Sequence, residues 1–432
     1  MFFYEYLRSS VLIRVQIHSR GIHLTDLNSS TPIRDHFETN LPQYLEILRQ
    51  MVAINSFTAN PKGIITLADL TAKTFSPLGF HAKYFPSANP DYGVHLVMTR
   101  HGTGDKKIAL VSHLDTVYPV EDEILNNFHW REDGDRIYGP GTVDIKGGTV
   151  MIYMILDAMR RFQPEVFEAT TWYVMLNASE ETMSKDFGEV CRSRLPVDTL
   201  ACLIFEGGIV RNRTVKLVTN RKGMAVYRVT AEGKSAHAGS SHPQGANAIA
   251  QMAHVVLAIE AMTDYEKNLT FNVGTITGGT VTNRVPHFAE IRVEMRAFET
   301  DVFENGLARM FALRERSDVS SKDGYPCKVT VELLSRTEPW NPNPGSDRLL
   351  QIWQEAGKEI GIEVGKEIRG GLSDGNLLWH TYPTIDALGP DGGNAHSSER
   401  SEDGSKDQEY VTVSSFVPKA VVNTAAILKL LG

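Results

Sequence analysis

The order of the predicted secondary-structure elements changes twice along the 432-residue chain, and this change limits the possible folds more than any other feature. Strands and helices first alternate as in an α/β sheet, with strands predicted near 93–99 and over 108–112, 170–177 and 200–205, and a helix over 147–162. Between about 219 and 333 the order becomes β-α-β-β-α-β, which is typical of a ferredoxin-like unit. Beyond about Arg336 the α/β character returns with a helix predicted over 347–360. The chain therefore predicts an α/β domain that is interrupted by an inserted α+β domain.

The inserted segment supplies six predicted elements. They are strand 223–231, helix 244–262, strand 270–277, strand 288–297, helix 302–316 and strand 327–334. The first helix rests on apolar residues spaced by three and four, namely Ile249, Met252, Ala253 and Val256. Four segments follow from this division: an N-terminal extension over 1–38, the first part of the α/β domain over 39–218, the inserted domain over 219–334, and the second part of the α/β domain over 335–432.

The N-terminal segment carries no recognisable secretory signal, because its apolar run is cut by Arg14 and no small-residue cleavage site follows. Its arginines leave an organelle-type basic leader as an alternative to a peripheral extension. The first helix is predicted over 41–52, with Pro42 in its first turn, and we expect the folded part of the chain to begin there.

Composition excludes several classes of protein. We find no apolar run that approaches the roughly 18 to 20 residues of a membrane-spanning helix, so we expect a soluble chain. Lys and Arg total 44 against 52 Asp and Glu, and the net charge of -8 argues against nucleic acid or an anionic membrane as the main partner. The three cysteines, Cys191, Cys202 and Cys327, form no Cys-x-x-Cys pair, which favours a reducing, cytoplasmic compartment. A small molecule is the expected partner.

Acidic and imidazole side chains follow the ends of several predicted strands. His113 and Asp115 come directly after strand 108–112, and the two-residue period of a strand lets both point the same way. One can bind a metal, while the other holds the second N–H of the imidazole ring. Asp144 stands in a Gly-rich turn.

Further ligand candidates are Glu180, Glu181, Glu206 and His396. Two histidines with three carboxylates suit two zinc ions, or cobalt or manganese in their place, and a shared carboxylate can hold such ions about 3.5 to 4 Å apart. Of the adjacent Glu180 and Glu181, one can ligate a metal while the other moves a proton.

Seven motifs occur together and in order: His-x-Asp, Gly-x-Gly-x-x-Asp-x-Lys-Gly-Gly, Glu-Glu, Gly-Lys-x-x-His-Ala-Gly, Asn-x-Val-Pro, Gly-Gly-x-Ser-Asp-Gly and a late Gly-x-x-His-Ser. With these motifs, the chain resembles the dizinc metallopeptidase and aminoacylase family, which includes glutamate carboxypeptidase and acetylornithine deacetylase. The resemblance extends over about residues 40–430. The resemblance implies a zinc-peptidase-like α/β catalytic domain with an inserted ferredoxin-like lid and dimerisation domain.

The resemblance also implies a role for each candidate. Asp144 would bridge two zinc ions, His113 and Glu206 would hold one, and Glu181 and His396 the other. Glu180 would be the general base, Asp115 would orient His113, and the peptide bond after Asp144 would be cis. His237 would reach the active site of the partner in a homodimer, and Asn283 would contact substrate in the same way. His237 could alternatively cap the helix that follows it.

Substrate contacts are expected from Arg296, which would bind a substrate α-carboxylate, and from Gly371, Ser373 and Asp374 of the Gly-rich loop. Arg296 could instead be an exposed strand residue, and the loop could be only a tight turn. Arg336 is a second, weaker candidate for binding the substrate carboxylate. The chain departs from many relatives at Ser179, where Asp is usual, and in the long polar segment after His396. We expect these departures to alter the rim of the site.

The leading functional prediction is a metallopeptidase that releases a C-terminal acidic amino acid from a dipeptide or an N-acyl amino acid. Deacylation of N-acyl amino acids is the close rival. A hypothesis from another class is a non-catalytic metal-dependent binding protein, which the retention of Glu180 beside all five ligand candidates disfavours.

Overall fold

The computed structural model describes residues 31–182 and 185–432. The helices are α1 Thr31–Val52, α2 Pro61–Phe75, α3 Val120–Leu125, α4 Gly147–Phe162, α5 Pro164–Ala169, α6 Asp186–Arg194, α7 Ala248–Glu260, α8 Thr300–Ala312, α9 Pro344–Glu359, α10 Gly375–Leu378 and α11 Phe416–Leu431. The strands are β1 His81–Pro86, β2 Val94–Arg100, β3 Lys107–His113, β4 Arg131–Asp133, β5 Arg136–Tyr138, β6 Thr171–Asn177, β7 Ala201–Ile204, β8 Val210–Arg211, β9 Thr214–Arg221, β10 Gly223–Glu232, β11 Thr270–Gly278, β12 Phe288–Ala297, β13 Lys328–Thr337, β14 Glu363–Arg369, β15 Thr384–Ile385, β16 Gly392–Gly393 and β17 Tyr410–Thr412.

The α/β domain is built on a six-stranded sheet in the order β1-β2-β6-β3-β7-β15. Strand β3 lies between β6 and β7 and pairs with both in parallel, and β7 pairs in parallel with β15. The residues of β6 and β7 are all buried, as are all but the first of β3, because helices cover the sheet. The carboxyl ends of β3, β6 and β7 therefore open at one edge, where ligands of such sheets bind.

The inserted domain has the predicted order β10-α7-β11-β12-α8-β13. Its sheet runs β11-β12-β10-β13 and is antiparallel throughout, and α7 and α8 contribute to one core with it. A ferredoxin-like α+β domain is thus inserted between β9 and α9 of the catalytic domain, as the fold-class prediction states.

Helix α7 differs from its prediction in start and orientation. It begins at Ala248 rather than near Gln244, because His242–Gln244 forms a separate 3-10 turn and the Asn247 side chain caps the helix by accepting the N–H of Ala250. Its buried face comprises Ala248, Gln251, Met252, Val255 and Ile259. Two residues of the predicted apolar face, Ile249 and Ala253, are exposed instead. Spacing by three and four found the helix, but placed its buried face about one residue too far along.

Helix α1 begins at Thr31, about ten residues before its predicted start. Residues 31–38 of the predicted extension are therefore helical, and Phe37 is fully buried in the main core. Pro42 lies inside the helix rather than in its first turn. Residues 1–30, on which the prediction of a basic or peripheral extension falls, lie outside the described residues.

The C-terminal helix corrects the expectation that no segment has the length and composition of a membrane span. Residues Val413–Leu431 form a 19-residue helical stretch with a mean hydropathy of 1.2, which meets both criteria. Two-thirds of that window (67%) is buried within the protein, where α11 packs against α1, α4 and α9. This burial identifies α11 as a core helix of the catalytic domain.

Two smaller sheets complete the catalytic domain, in the orders β14-β9-β8 and β16-β17-β5-β4. Strands β9 and β14 are parallel, and their register pairs Arg221 with Arg369 at the carboxyl ends. These two arginines therefore stand side by side where the chain enters the inserted domain and the Gly-rich loop.

Candidate metal centre and active-site cleft

The candidate ligands meet at the carboxyl edge of the main sheet. His113 is the last residue of β3, Glu180 and Glu181 form a 3-10 turn just after β6, and Glu206 follows β7. Asp144 lies in the irregular turn before α4. Because the three strands are parallel neighbours, residues far apart in sequence reach the same place.

Asp144 is at the centre of this group. Its Oδ1 lies 3.0 Å from Nε2 of His113, and its Oδ2 lies 3.4 Å from Nε2 of His396. Glu181 Oε2 is 3.0 Å from His396 Nε2, and Glu206 Oε1 is 3.8 Å from His113 Nε2. The structure thus brings together all five predicted ligands as two sets that share one carboxylate. The peptide bond between Asp144 and Ile145 is cis, as the resemblance implied.

Asp115 connects the imidazole of His113 to the Glu180–Glu181 turn. Nδ1 of His113 lies 3.0 Å from the Asp115 backbone oxygen and 3.4 Å from its Oδ1. The Asp115 carboxylate also accepts the backbone N–H groups of Glu180 and Glu181, each at 3.1 Å, and the hydroxyl of Thr58 at 2.7 Å. One buried side chain therefore orients a ligand candidate and the turn that carries the base candidate.

The electrostatics of the group are those of a cation site. Burial raises the pKa of Glu180 and that of Glu206 well above the ordinary value, and it raises the pKa of Glu181 to about 7. Hydrogen bonds to Asp144 and Glu181 raise the pKa of His396 to about 10. Burial lowers the pKa of His113, but hydrogen bonds to Asp115 and Asp144 outweigh this and raise it well above its usual value. Without cations, protons on these groups reduce the repulsion between the clustered carboxylates. Bound divalent cations can replace these protons and reduce the same repulsion.

Glu409 belongs to this site, although the sequence analysis did not identify it. Its fully buried carboxylate accepts the backbone N–H groups of Val143 at 2.9 Å and Asp144 at 3.1 Å, and the hydroxyl of Tyr118 at 2.8 Å. Burial raises the pKa of Glu409 to about 7. It stands thirteen positions after His396, at the end of a long polar segment, and no spacing signal marks it.

A cavity of about 470 Å³ contains the candidate ligands and extends toward the inserted domain. Arg221, Arg296, Arg369 and Gly371 also line it. Arg296 pairs with Glu294 at 2.6 Å and donates to the Gly370 carbonyl at 3.0 Å. The predicted substrate contacts Arg296 and Gly371 are therefore in the same cleft as the ligands.

Arg221 is a second group that the sequence analysis missed. It pairs with the buried carboxylate of Asp386 at 2.7 Å and donates to the carbonyl oxygens of Gly371 and Leu372. The pair holds the Gly-rich loop against the sheet. A buried arginine at a strand end has no distinctive spacing from its partner, so the sequence offered no signal for it.

Two other predicted substrate contacts face away from the cleft. Ser373 and Asp374 are only 4% and 2% exposed. The Ser373 hydroxyl donates to Asp386 at 2.7 Å, and Asp374 accepts the amide of Asn177 at 2.7 Å. In this structure their polar atoms therefore bond to Asp386 and Asn177, and their contact with substrate stays a prediction. Arg336 pairs with Glu304 and Glu338 at the surface.

His237 and Asn283 lie on the inserted domain, next to each other. The N–H of Ala238 donates to the Asn283 carbonyl at 2.9 Å, and Nδ1 of the exposed His237 accepts the N–H groups of Gly239 and Ser240. Neither is among the described residues that line the cleft of their own chain. The structure therefore does not bring these two residues to the ligand group.

Comparison with known proteins agrees with this arrangement. The profile of peptidase family M20/M25/M40 matches residues 109–420. Carboxypeptidase G2 of Pseudomonas sp. (strain RS-16) is 28% identical over 396 residues, which cover 90% of each chain. Acetylornithine deacetylase of Pectobacterium carotovorum subsp. carotovorum (strain PC1) is 29% identical over 372 residues, covering 81% of this chain and 90% of that enzyme. The fold is similar to that of a tripeptidase from Staphylococcus aureus, with a TM-score of 0.72 at 22% identity over 91% of this chain and 99% of that one.

The fold and the family match define a metal-dependent hydrolase. The chain belongs to peptidase family M20/M25/M40, whose members include metallopeptidases and amidohydrolases.

Proposed function

We propose that the protein is a two-zinc hydrolase of amide bonds, with cobalt or manganese able to replace zinc. The observation that carries this proposal is that the two carboxylate oxygens of Asp144 face two different histidines, His113 and His396. Asp144 would bridge the ions, while His113 and Glu206 would hold one and Glu181 and His396 the other. Two imidazoles and three carboxylates suit divalent zinc, so the donor set fits the metal.

Glu180 acts as the general base. Bound divalent cations supply an electrophile for the amide carbonyl and lower the pKa of the attacking water. The Glu180 carboxylate takes a proton from this water and delivers it to the nitrogen of the leaving amine. Asp115 holds the Glu180 backbone in place, and burial of the carboxylate suits proton transfer because it raises the pKa.

The substrate is a dipeptide or N-acyl amino acid whose α-carboxylate binds Arg296, at the wall of the 470 Å³ cavity. Release of a C-terminal acidic amino acid is the leading reaction, supported by the similarity to carboxypeptidase G2 along nearly the whole chain. Deacylation of an N-acyl amino acid is the second candidate, supported by the comparable similarity to acetylornithine deacetylase. A non-catalytic binding role does not account for Glu180 beside the ligands.

The active site is completed by a second copy of the chain. His237 and Asn283 are not among the residues that line their own cleft, and within the described ranges no strand pairs with the outer side of the edge strand β11. Exposed apolar side chains lie on the same domain, with Leu257 70% and Ile276 59% exposed. A homodimer that pairs β11 and α7 of two copies covers these residues and carries His237 toward the partner site. The compartment is cytoplasmic, in keeping with three unpaired cysteines.

The test is amine release from a panel of dipeptides and N-acyl amino acids by the zinc-loaded protein, with Glu180→Ala as the control. We expect release that depends on Glu180 and is fastest for C-terminal Glu or Asp, while Glu180→Ala keeps its zinc content. For one and the same acyl group, derivatives of neutral amino acids could be hydrolysed faster than those of Glu or Asp. That result would move the assignment to a deacylase. Full activity of the Glu180→Ala protein would refute the general-base role.

A further inference from the structure

A second cavity, of about 230 Å³, adjoins the first. Asp144, Glu206, Arg369 and Ala395 border both cavities, so the two cavities meet beside two of the ligand candidates. We call the larger one the leaving-group wing and the smaller one the acyl wing. The leaving-group wing contains Arg296 and Glu180, and the acyl wing is also lined by Ile209 and Asp391.

We propose that the acyl wing binds a short acyl group that ends in a carboxylate, and that Arg369 is the residue that selects it. This inference rests on the proposed hydrolysis, because an amide bound at the metal ions that Asp144 and Glu206 would hold can extend into both of the wings that these residues border. Since Arg296 receives the carboxylate of the departing amino acid, the acyl side extends into the smaller wing.

Size limits the acyl group. Four glycines, Gly207, Gly208, Gly392 and Gly393, help to form the wall. A Cβ on Gly207 would lie 2.7 Å from the Val143 side chain, and one on Gly392 would lie 2.2 Å from the Tyr410 carbonyl oxygen, so neither position of the wall has room for a larger residue. No aromatic residue is among the described residues of this wall. A volume of 230 Å³ is also below the roughly 300–1,000 Å³ of pockets for drug-sized ligands.

Arg369 supplies a permanent positive charge at the border of the wing. An arginine has about five N–H donors. Nη1 donates to the Gly207 carbonyl at 2.6 Å, while Nε and Nη2 donate to Glu367 at 3.3 and 3.4 Å. Within the described part of the chain, the remaining donors of Arg369 have no partner. They are available to a carboxylate that enters the wing.

Three carboxylates also line the wing, and two of them, Asp144 and Glu206, are ligand candidates whose charge bound cations would compensate. The Asp391 carboxylate already accepts the N–H groups of Val210 at 3.2 Å and Gly392 at 2.9 Å. Behind the wall, the fully buried amine of Lys419 has no hydrogen-bond partner among the described residues. A Cβ on Gly208 would lie 2.5 Å from this amine, so only a glycine separates it from the wing. The protonated form of Lys419 adds positive potential to that of Arg369, but burial lowers the pKa of Lys419 to about 7, so this contribution is partial near neutral pH.

The experiment compares two acyl groups of equal size on the same amino acid. The zinc-loaded protein is given N-glutaryl-glutamate and N-glutaramoyl-glutamate, which differ in that a terminal carboxylate is replaced by a primary amide. We expect kcat/KM to be roughly tenfold or more higher for the glutaryl compound, as for a charged hydrogen bond. Arg369→Gln should bring this ratio close to one, and Arg369→Lys should restore part of it. The ratio is taken within each variant, so a general loss of activity cancels.

Size is tested with Ile209. A third compound, N-formyl-glutamate, carries a much smaller acyl group on the same amino acid. Ile209→Phe should slow hydrolysis of N-glutaryl-glutamate several-fold more than that of N-formyl-glutamate, whereas Ile209→Ala should not produce this difference. Equal slowing of both compounds by Ile209→Phe would contradict the placement of the acyl group in this wing.

Three outcomes separate this inference from the proposed function. Hydrolysis of both compounds at equal kcat/KM would overturn the inference and leave the proposed function standing. The inference would also be overturned if Arg369→Gln kept the preference for the glutaryl group but changed the preference for Glu over Gln as the released residue. If neither compound is hydrolysed, calorimetry on the zinc-loaded Glu180→Ala protein still decides, since equal affinity for the two compounds contradicts a carboxylate-selective wing.

Discussion

The backbone N–H of Asp144 donates to the carboxylate of Glu409 at 3.1 Å, although 265 positions separate the two residues. The same Glu409 oxygen accepts the N–H of Val143, and the hydroxyl of Tyr118 donates to the other oxygen. Glu409 thereby fixes the backbone of the residue whose two oxygens face His113 and His396. We assign it as a positioning residue that acts on the candidate metal centre through Asp144.

We therefore expect Glu409→Ala to reduce zinc affinity and kcat by roughly 10- to 100-fold, the usual range for groups that support metal ligands. Two buried N–H groups lose their acceptor, which should also lower the free energy of unfolding by about 1–3 kcal/mol. Glu409→Gln keeps an acceptor oxygen and should retain most of the zinc. Zinc per chain after dialysis, together with the thermal unfolding midpoint, measures both effects. If Glu409→Ala bound zinc as tightly as the wild type, the positioning role would be wrong.

Metal loading should release protons. Without metal, the raised pKa values of His113 and His396 favour their protonated forms near pH 7, and Glu181, with a pKa raised to about 7, is partly protonated there. Zinc binds only their deprotonated forms, so its affinity should fall as pH decreases from 8 to 6. Calorimetric titration of the apoprotein with zinc, in two buffers that differ in ionisation enthalpy, should show release of at least about two protons. Heats that are identical in both buffers would contradict the protonated arrangement.

Lys419 should make stability depend on pH. Burial lowers the pKa of Lys419 to about 7, against roughly 10.4 in an unfolded chain. Between these values the unfolded state binds more protons, so the free energy of unfolding should rise with pH from 7 toward 10, and the cost of the buried amine is fully present below pH 7. Lys419→Met should be more stable than wild type at pH 6.5, by roughly 1–3 kcal/mol, with a difference that shrinks by pH 9.5. Urea titrations at both pH values provide the measurement, and a pH-independent difference would speak against this assignment.

The sequence predicted the two-domain fold and the candidate ligands because both leave local signals. A fully apolar run marks a buried parallel strand, and a polar residue directly after it marks the sheet edge, as with His113 after β3. The insertion was visible because its elements follow a different order. The start of α1 was missed by about ten residues, since Pro42 suggested a first turn that in fact lies inside the helix.

Groups that support the ligands from a distance were not predictable in this way. Glu409 and Arg221 act through single long-range contacts, to Asp144 and to Asp386, which no local spacing encodes. Ser373 and Asp374 carried a motif signal, but a motif cannot tell which side chains of a loop turn inward. Periodicity and motifs therefore indicated the candidate site, while the burial and pairing of its charges required the three-dimensional structure.

The proposed dimer can be tested by combining two inactive variants. Glu180→Ala lacks the base of its own site, and His237→Ala lacks the histidine that is proposed to reach the partner site. In a mixed dimer, one of the two sites combines Glu180 from one chain with His237 from the other. Each variant alone should have little activity, whereas an equimolar mixture that has exchanged chains should regain about a quarter of the wild-type kcat per site.

The control for this experiment is His242→Ala, which removes another exposed histidine from the same domain and should by itself keep the wild-type kcat. The interface itself is tested with Leu257→Asp, which places a charge on a 70% exposed apolar position of α7. Sedimentation should show that this variant is a monomer. Its kcat in the activity assay should be low, because its site then lacks the partner's histidine. A monomeric Leu257→Asp protein with wild-type kcat, or a mixture that stays as inactive as its components, would show that each chain has a complete site of its own.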